Sequence, residues 1–188
     1  AKKISSGIEL IEVPPTVGIF RGCIGGDCSS QYSFPYPNDP HERVFLIKKL
    51  TSGLKEDDND QLKGYVSATE VMVNGEPALY VITISGVNVS AGDTELILRG
   101  LDEAKEKLGV KLVVLPAPEK LDGLINFPAI RGVYEKHANK NSARVDINYQ
   151  DPDIRNEIQN FRPYCFYNSG RYDHMTNNMN GVVLSFNS

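Results

Sequence analysis

The sequence predicts an α+β domain with a mixed, mainly antiparallel central sheet and helices packed on it. Two observations support this. Residues rich in β-formers fill much of the first half of the chain, and Asn74-Gly75 lies between two such runs, which is a strong hairpin signature. Helical periodicity follows only after residue 90, where it alternates with short apolar segments that are typical of strands. Strands followed by alternating helices and strands predict a sheet covered by helices.

Each strand is predicted from its local pattern. The first, "GIELIEV", alternates apolar and charged residues as a half-buried strand does, and "VKLVVLP" is a continuous apolar run that suits a strand buried on both faces. The two arms of the hairpin, "KGYVSATEVMV" and "PALYVITISG", flank the Asn-Gly turn. Outside the hairpin, strands are expected at residues 7–13, 43–49, 110–116, 142–149 and 181–186.

Three helices are predicted. The clearest covers residues 93–109, where an apolar stripe recurs at helical spacing and Gly109 provides a stop. Ser90 and Asp93 fit a capping box at its start. A second helix is expected at 126–139, with a proline in its first turn, and a third at 151–161, capped by an Asp-Pro pair. Residues 22–42 and 162–180 carry no period, and we expect long loops there.

The bulk composition limits the classes of function. The 188 residues suffice for one domain over 1–188 without disulfides. The net charge of −4 argues against a nucleic-acid binder, and the absence of a long apolar run argues against a membrane span.

Three cysteines favour a reducing, cytoplasmic location, although pairing of Cys23 with Cys28 stays open. The chain opens on Ala1 without a signal-peptide pattern, so processing and excision from a longer chain both remain possible interpretations.

The stretch "INFPAIRGVYEKHA" and the element order from residue 43 onward resemble the GCN5-related N-acetyltransferase (GNAT) superfamily. In that fold an antiparallel meander precedes a helix, a strand, a second helix and a final pair of strands. The resemblance implies acetyl-CoA as cofactor and a fold of the GNAT type. It implies that Asn126 contacts the coenzyme and that Tyr134 protonates the leaving thiolate, for which a phenol is a suitable acid.

The coenzyme loop departs from the GNAT pattern. On the resemblance, the stretch "VNVSAGDTELIL" would hold the pyrophosphate, with Val87, Val89 and Gly92 as the matching positions. Only Gly92 falls where a loop glycine is needed, and no Arg or Gln stands in the expected place. Asp93 and Glu95 would repel a pyrophosphate, since carboxylates in a first turn themselves complement the helix dipole.

The acceptor site implied by the resemblance lies between residues 21–42 and 150–180. Both segments are aromatic and rich in Gly, Pro or Asn, so they are expected to form the walls of a pocket for an amine or a peptide. Glu70, on the first hairpin strand, is the best-placed carboxylate to act as general base. The residues expected to contact the acceptor are Cys28, Tyr36, His41, Tyr167 and Tyr172.

Two alternatives to acyl transfer stay open. The degenerate coenzyme loop suits a non-catalytic binding or interaction domain on the same fold. A cysteine-dependent enzyme would use Cys28, with His41, His137 or His174 as base, although Asp27 beside the sulfur disfavours the thiolate.

No metal is expected, because Cys23, Cys28 and His41 supply too few ligands for a structural zinc site. The oligomeric state is left open.

Overall fold

The computed structural model describes residues 2–5, 7–14, 41–49, 61–86, 89–116, 132–133, 136–137, 145–149 and 179–186. The statements below concern these residues. The elements with defined bounds are β1 (Lys2–Ser5), β2 (Ile8–Val13), β3 (Glu42–Lys49), β4 (Gln61–Val73), β5 (Glu76–Ser85), α1 (Ala91–Ala104), β6 (Leu112–Pro116), β7 (Val145–Tyr149) and β8 (Met179–Val183).

All eight strands belong to one sheet with the order β1-β2-β3-β4-β5-β6-β8-β7. Every neighbouring pair is antiparallel except β5 and β6, which run parallel and are joined by α1. A parallel pair needs a crossover connection, and the helix supplies it. The predicted class is confirmed: this is an α+β fold with a mixed, mainly antiparallel sheet.

The sheet closes on itself at one end. β4 is long enough to pair with β3 over most of its length and then with β7, through Val71–Val73 and Ile147–Tyr149. Since β7 also pairs with β8, the strands β4, β5, β6, β8 and β7 form a continuous hydrogen-bonded ring. This closure gives the outer edge of β7 a partner, which an edge strand would otherwise lack.

The predicted hairpin turn is confirmed. Asn74 and Gly75 connect β4 to β5, and their φ angles of 52° and 79° are both positive. A type I′ turn requires this conformation at both central positions, and its twist matches that of the flanking strands. The turn fixes the register in which Val73 faces Glu76.

Helix α1 packs its apolar stripe on one face of the sheet. Ile97, Leu98 and Leu101 are buried together with strand residues such as Phe45 and Val113. Strand residues alternate between the two faces. The alternate positions are buried as well, and they include both polar and apolar side chains: Glu42, Val44, Tyr65, Ser67, Thr69, Tyr80 and Val114.

The boundaries differ from the expected ones by a few residues. Helix α1 begins two residues earlier than predicted and ends at Ala104, and the chain then turns as far as Gly109, which has a φ of 73°. Strand β1 was not predicted. Gly132, Val133, Lys136 and His137 are helical, as expected within 126–139, whereas the helix predicted at 151–161 lies outside the described residues. Within the described part of the chain, no helix combines the length and apolarity that crossing a membrane requires.

Candidate functional site

The ends of the two predicted pocket-wall segments meet on one edge of β4. The first ends at His41, whose carbonyl oxygen accepts a hydrogen bond of 2.8 Å from the Glu70 amide. The second begins after Tyr149, which pairs with Val71. Both contacts use the same edge, because the other edge of β4 pairs with β5. We name this place the β4 junction, and it comprises His41, Thr69, Glu70, Val71 and Tyr149.

Arg43 dominates the charge beside the junction. Its Nε and Nη2 donate to the two carboxylate oxygens of Glu12 at 2.7 and 2.9 Å, which is the bidentate geometry that a guanidinium favours. Its Nη1 donates to Glu70 Oε1 at 3.3 Å and to the Leu108 carbonyl oxygen at 2.5 Å. Arg43 therefore ties β2, β4 and the turn after α1 together.

In the described part of the chain, two carboxylates contact the Arg43 guanidinium beside the junction. One guanidinium, with a side chain only 14% exposed, faces the two carboxylates of Glu12 and Glu70, which are 43% and 33% exposed. The carboxylates are therefore the part of the cluster that meets solvent. Glu70 lies beside His41 in the structure, and its role as general base stays a prediction.

The N-terminus of α1 is closed by its own side chains. Asp93 N donates to Ser90 Oγ at 3.1 Å, and Ser90 N donates to Asp93 Oδ2 at 3.0 Å, so the predicted capping box is confirmed. Lys49 Nζ lies 3.4 Å from Asp93 Oδ2. Burial raises the pKa of Asp93, but the hydrogen bonds from Ser90 and the nearby Lys49 outweigh it, so the pKa lies below its ordinary value.

The described residues at this helix end do not fit a coenzyme pyrophosphate. A phosphate binds to a helix N-terminus through free backbone N–H groups and the positive end of the dipole. Here an ionised carboxylate already takes that place. Gly92 gives no sign of a close approach either, since an added Cβ would meet only Ser90 Oγ at 3.8 Å.

Sequence reasoning missed the glycine that is sterically required. Gly86 follows β5 directly, and an added Cβ would lie 2.7 Å from the Gly64 Cα and overlap the Lys63 backbone. The backbones of β4 and the segment after β5 are therefore in close contact. A glycine just after a strand is the local signal that marks such an approach.

The predicted base and the described coenzyme residues, Val89 and Gly92, lie at opposite ends of α1. The capping box stands at its start, while Arg43, which holds Glu70, contacts Leu108 just after its end. A helix of 14 residues spans roughly 20 Å at 1.5 Å per residue. Only an extended ligand reaches from one end to the other.

The remaining predicted site residues are distributed unevenly. Val89 is partly buried against the apolar core, and Gly92 is exposed on the first turn of α1. The others lie outside the described residues, so their roles stay predictions: Cys28, Tyr36, Val87, Asn126, Tyr134, Tyr167 and Tyr172.

A second ionic cluster joins α1 to the helical residues 132–137. Glu95 Oε1 lies 2.9 Å from His137 Nε2, and Lys136 Nζ lies 3.0 Å from Glu95 Oε2. The hydrogen bond from Lys136, and then that from His137, lower the pKa of Glu95 although burial opposes them. His137 also packs on Phe186, with 4.9 Å between ring centroids. The described residues bring together no group of three or more side chains suited to a metal ion.

Comparison with known protein families and with curated proteins yields no match. Among solved structures, the chain is similar to NAA60 of Arabidopsis thaliana in complex with a bisubstrate analogue. The two share 12% sequence identity and a TM-score of 0.38, and the match covers 94% of this chain and 96% of the other. At that TM-score the likeness carries no inference. The class defined by the described strands and helix themselves is an α+β domain.

Proposed function

We propose that this protein is a GNAT-like domain that binds an amine, or the amino group of a peptide, at the β4 junction. The observation that carries the proposal is the convergence of the two predicted wall segments on adjacent residues of β4, at His41–Glu70 and at Tyr149–Val71. Recognition loops held by a rigid sheet are the usual arrangement for a binding site. Here the sheet anchors one end of each segment by backbone pairing.

The charge at the junction supports a cationic ligand. Glu12 and Glu70 share Arg43 as their neighbour, so among the residues that the structure describes this group has two carboxylates for one guanidinium. A primary amine is protonated near neutral pH and donates three hydrogen bonds in the manner of a lysine ammonium. It therefore matches both the charge and the hydrogen-bonding capacity of a half-exposed carboxylate such as Glu70.

A random peptide library tests the proposal when prepared once with free N-termini and once with acetylated N-termini. We expect the protein to retain the free peptides and Glu70→Gln to weaken their binding several-fold, because the change removes the charge but keeps the shape. Glu103→Gln is the matched control, since Glu103 is exposed on α1. Equal retention of acetylated and free peptides, or equal effects of the two substitutions, would refute an amine site at the junction.

Acyl transfer from acetyl-CoA is the second candidate. Because the capping box at the start of α1 does not fit the pyrophosphate, this candidate requires the coenzyme to lie elsewhere on the sheet. β5 and β6 pair only through Ala78–Tyr80 and Leu112–Val114, and β5 then continues to Ser85 without β6. The two parallel strands therefore separate towards their carboxyl ends, and in this proposal the coenzyme lies between them there. In this proposal Glu70 is the general base and Tyr134 the general acid. Formation of an acetylated amine from acetyl-CoA, measured by mass spectrometry and lost in Tyr134→Phe, would establish it.

A further inference from the structure

The start of α1 is occupied by a carboxylate of the protein itself, the side chain of Asp93. Helix N-termini attract anions because their first N–H groups lack intrahelical acceptors and the dipole is positive there. In this chain Asp93 satisfies that preference from within the first turn, through its reciprocal bonds with Ser90. The Thr94 amide is also used, since it donates to the Ser90 carbonyl oxygen at 2.9 Å.

A cation beside this helix end, Lys49, is engaged by the same carboxylate. Lys49, at the end of β3, lies within ion-pair distance of Asp93. A lysine at this place would otherwise be free to neutralise an incoming phosphate. The side chain of Asp93 is 14% exposed, so the carboxylate is held between the helix end and the sheet. Both attractions that would draw a phosphate are therefore directed at Asp93.

We infer that Asp93 takes the place of a bound phosphate at α1 and excludes pyrophosphate-bearing coenzymes from this helix end. The inference departs from what the GNAT resemblance implies for this position, and it is independent of the ligand proposed for the β4 junction. An incoming pyrophosphate would have to lie against an ionised carboxylate in a partly desolvated position. It would also have to displace the hydrogen bonds that already close the helix.

The direct test titrates the unmodified protein with inorganic pyrophosphate and, separately, with coenzyme A. Binding is followed through the backbone amide resonances of residues 91–94. We expect these resonances not to move at millimolar concentrations of either compound. Saturable shifts centred on residues 91–94 of the unmodified protein would overturn the inference, whichever of the two compounds produced them.

A pair of substitutions tests the cause. Asp93→Asn keeps an oxygen that accepts from the Ser90 amide but removes the charge, so we expect the affinity for pyrophosphate to rise at least tenfold. Asp102→Asn is the matched control, because it makes the same charge change near the other end of α1, where Asp102 pairs with Lys105 at 3.0 Å. We expect no gain from it.

Comparing Asp93→Asn with Asp102→Asn shows whether Asp93 lowers the affinity for pyrophosphate through its position at the helix start or only through the net charge of the protein. An equal gain in both variants would show that only net charge matters, and no gain in Asp93→Asn would show that the carboxylate is not the obstacle. Either result overturns the inference. Circular dichroism verifies folding, and Asp93→Ser provides a second uncharged variant with a short hydrogen-bonding side chain. Because the probe is pyrophosphate and not an amine, a failure here leaves the amine proposal standing.

Discussion

At the scale of the single residue, Gly86 and Gly92 differ in whether neighbouring backbone leaves room for a side chain. Gly86 lies against the backbone of Lys63 and Gly64, whereas Gly92 has room for a side chain. The atoms that crowd Gly86 are backbone atoms of a paired strand, which cannot move aside as the end of a flexible side chain can. A methyl group at position 86 must therefore push two sheet segments apart.

We expect Gly86→Ala to lower the free energy of unfolding by about 2 kcal/mol or more, in the range of other overpacking changes. Gly92→Ala is the matched control, and it should be neutral or stabilising by up to about 1 kcal/mol, because alanine is the better helix former. Urea unfolding followed by circular dichroism measures both. Equal stability of the Gly86→Ala and Gly92→Ala variants would contradict the close approach.

The site was partly predictable at the same scale. Glu70 was chosen as a carboxylate on a hairpin strand and His41 as a polar group of the first wall segment, and in the structure the Glu70 amide donates to the His41 carbonyl oxygen just before β3. Arg43 was not predicted as a neighbour of Glu70. Its contacts with Glu12, Glu70 and Leu108 span 31, 27 and 65 residues of sequence, and no local pattern encodes contacts at such separations.

At the scale of the element, local chemistry determined what could be predicted. The Asn-Gly turn, the capping box and the apolar stripe of α1 each depend on residues a few positions apart, and each is confirmed. Strand β1 and the pairing of β4 with β7 were not predicted. The second of these depends on partners over 70 residues apart in the chain, and only the assembled sheet brings them together.

The contact between α1 and the helical residues 132–137 should depend on Glu95. Glu95→Gln removes the charge that Lys136 and His137 share, and we expect a loss of stability on the order of 1 kcal/mol, because the pairs are partly exposed. The specific readout is amide hydrogen exchange at Gly132, Val133, Lys136 and His137, which should become faster, while exchange in β4 and β5 stays unchanged. Exchange that rises equally in the sheet would mean that Glu95 supports the whole fold and not this contact.

At the scale of the whole molecule, closure of β4 through β8 into a ring links the Asn74-Gly75 hairpin to the last two strands, β7 and β8. Three residue pairs join β7 to β4, the first strand of the Asn74-Gly75 hairpin. Since β7 also pairs with β8, the segment between β7 and β8 starts from a strand that is paired on both edges. Arg43 adds a contact between the outer strand β2 and the turn after α1. The β4 junction lies where these connections meet, and for this reason it is a rigid base for a ligand site.

The stability of the whole domain should fall in acid through Asp93 and Glu95. Both carboxyls have a pKa below the ordinary values of 3.8 and 4.5. Between each folded pKa and its unfolded value, the unfolded state binds more protons, so stability rises with pH in that window. The contribution is fully present above the unfolded pKa values and is lost as the pH falls through the folded ones.

The double variant Asp93→Asn, Glu95→Gln should remove much of this dependence. We expect the wild-type unfolding free energy, measured in urea, to decrease from about pH 5 to about pH 3, and the decrease to be smaller in the double variant. Asp102→Asn provides the control, since it removes one carboxylate from the same helix without touching either cluster. If the double variant keeps the wild-type slope below pH 5, the interactions that Asp93 and Glu95 make in the folded state do not favour their charged forms.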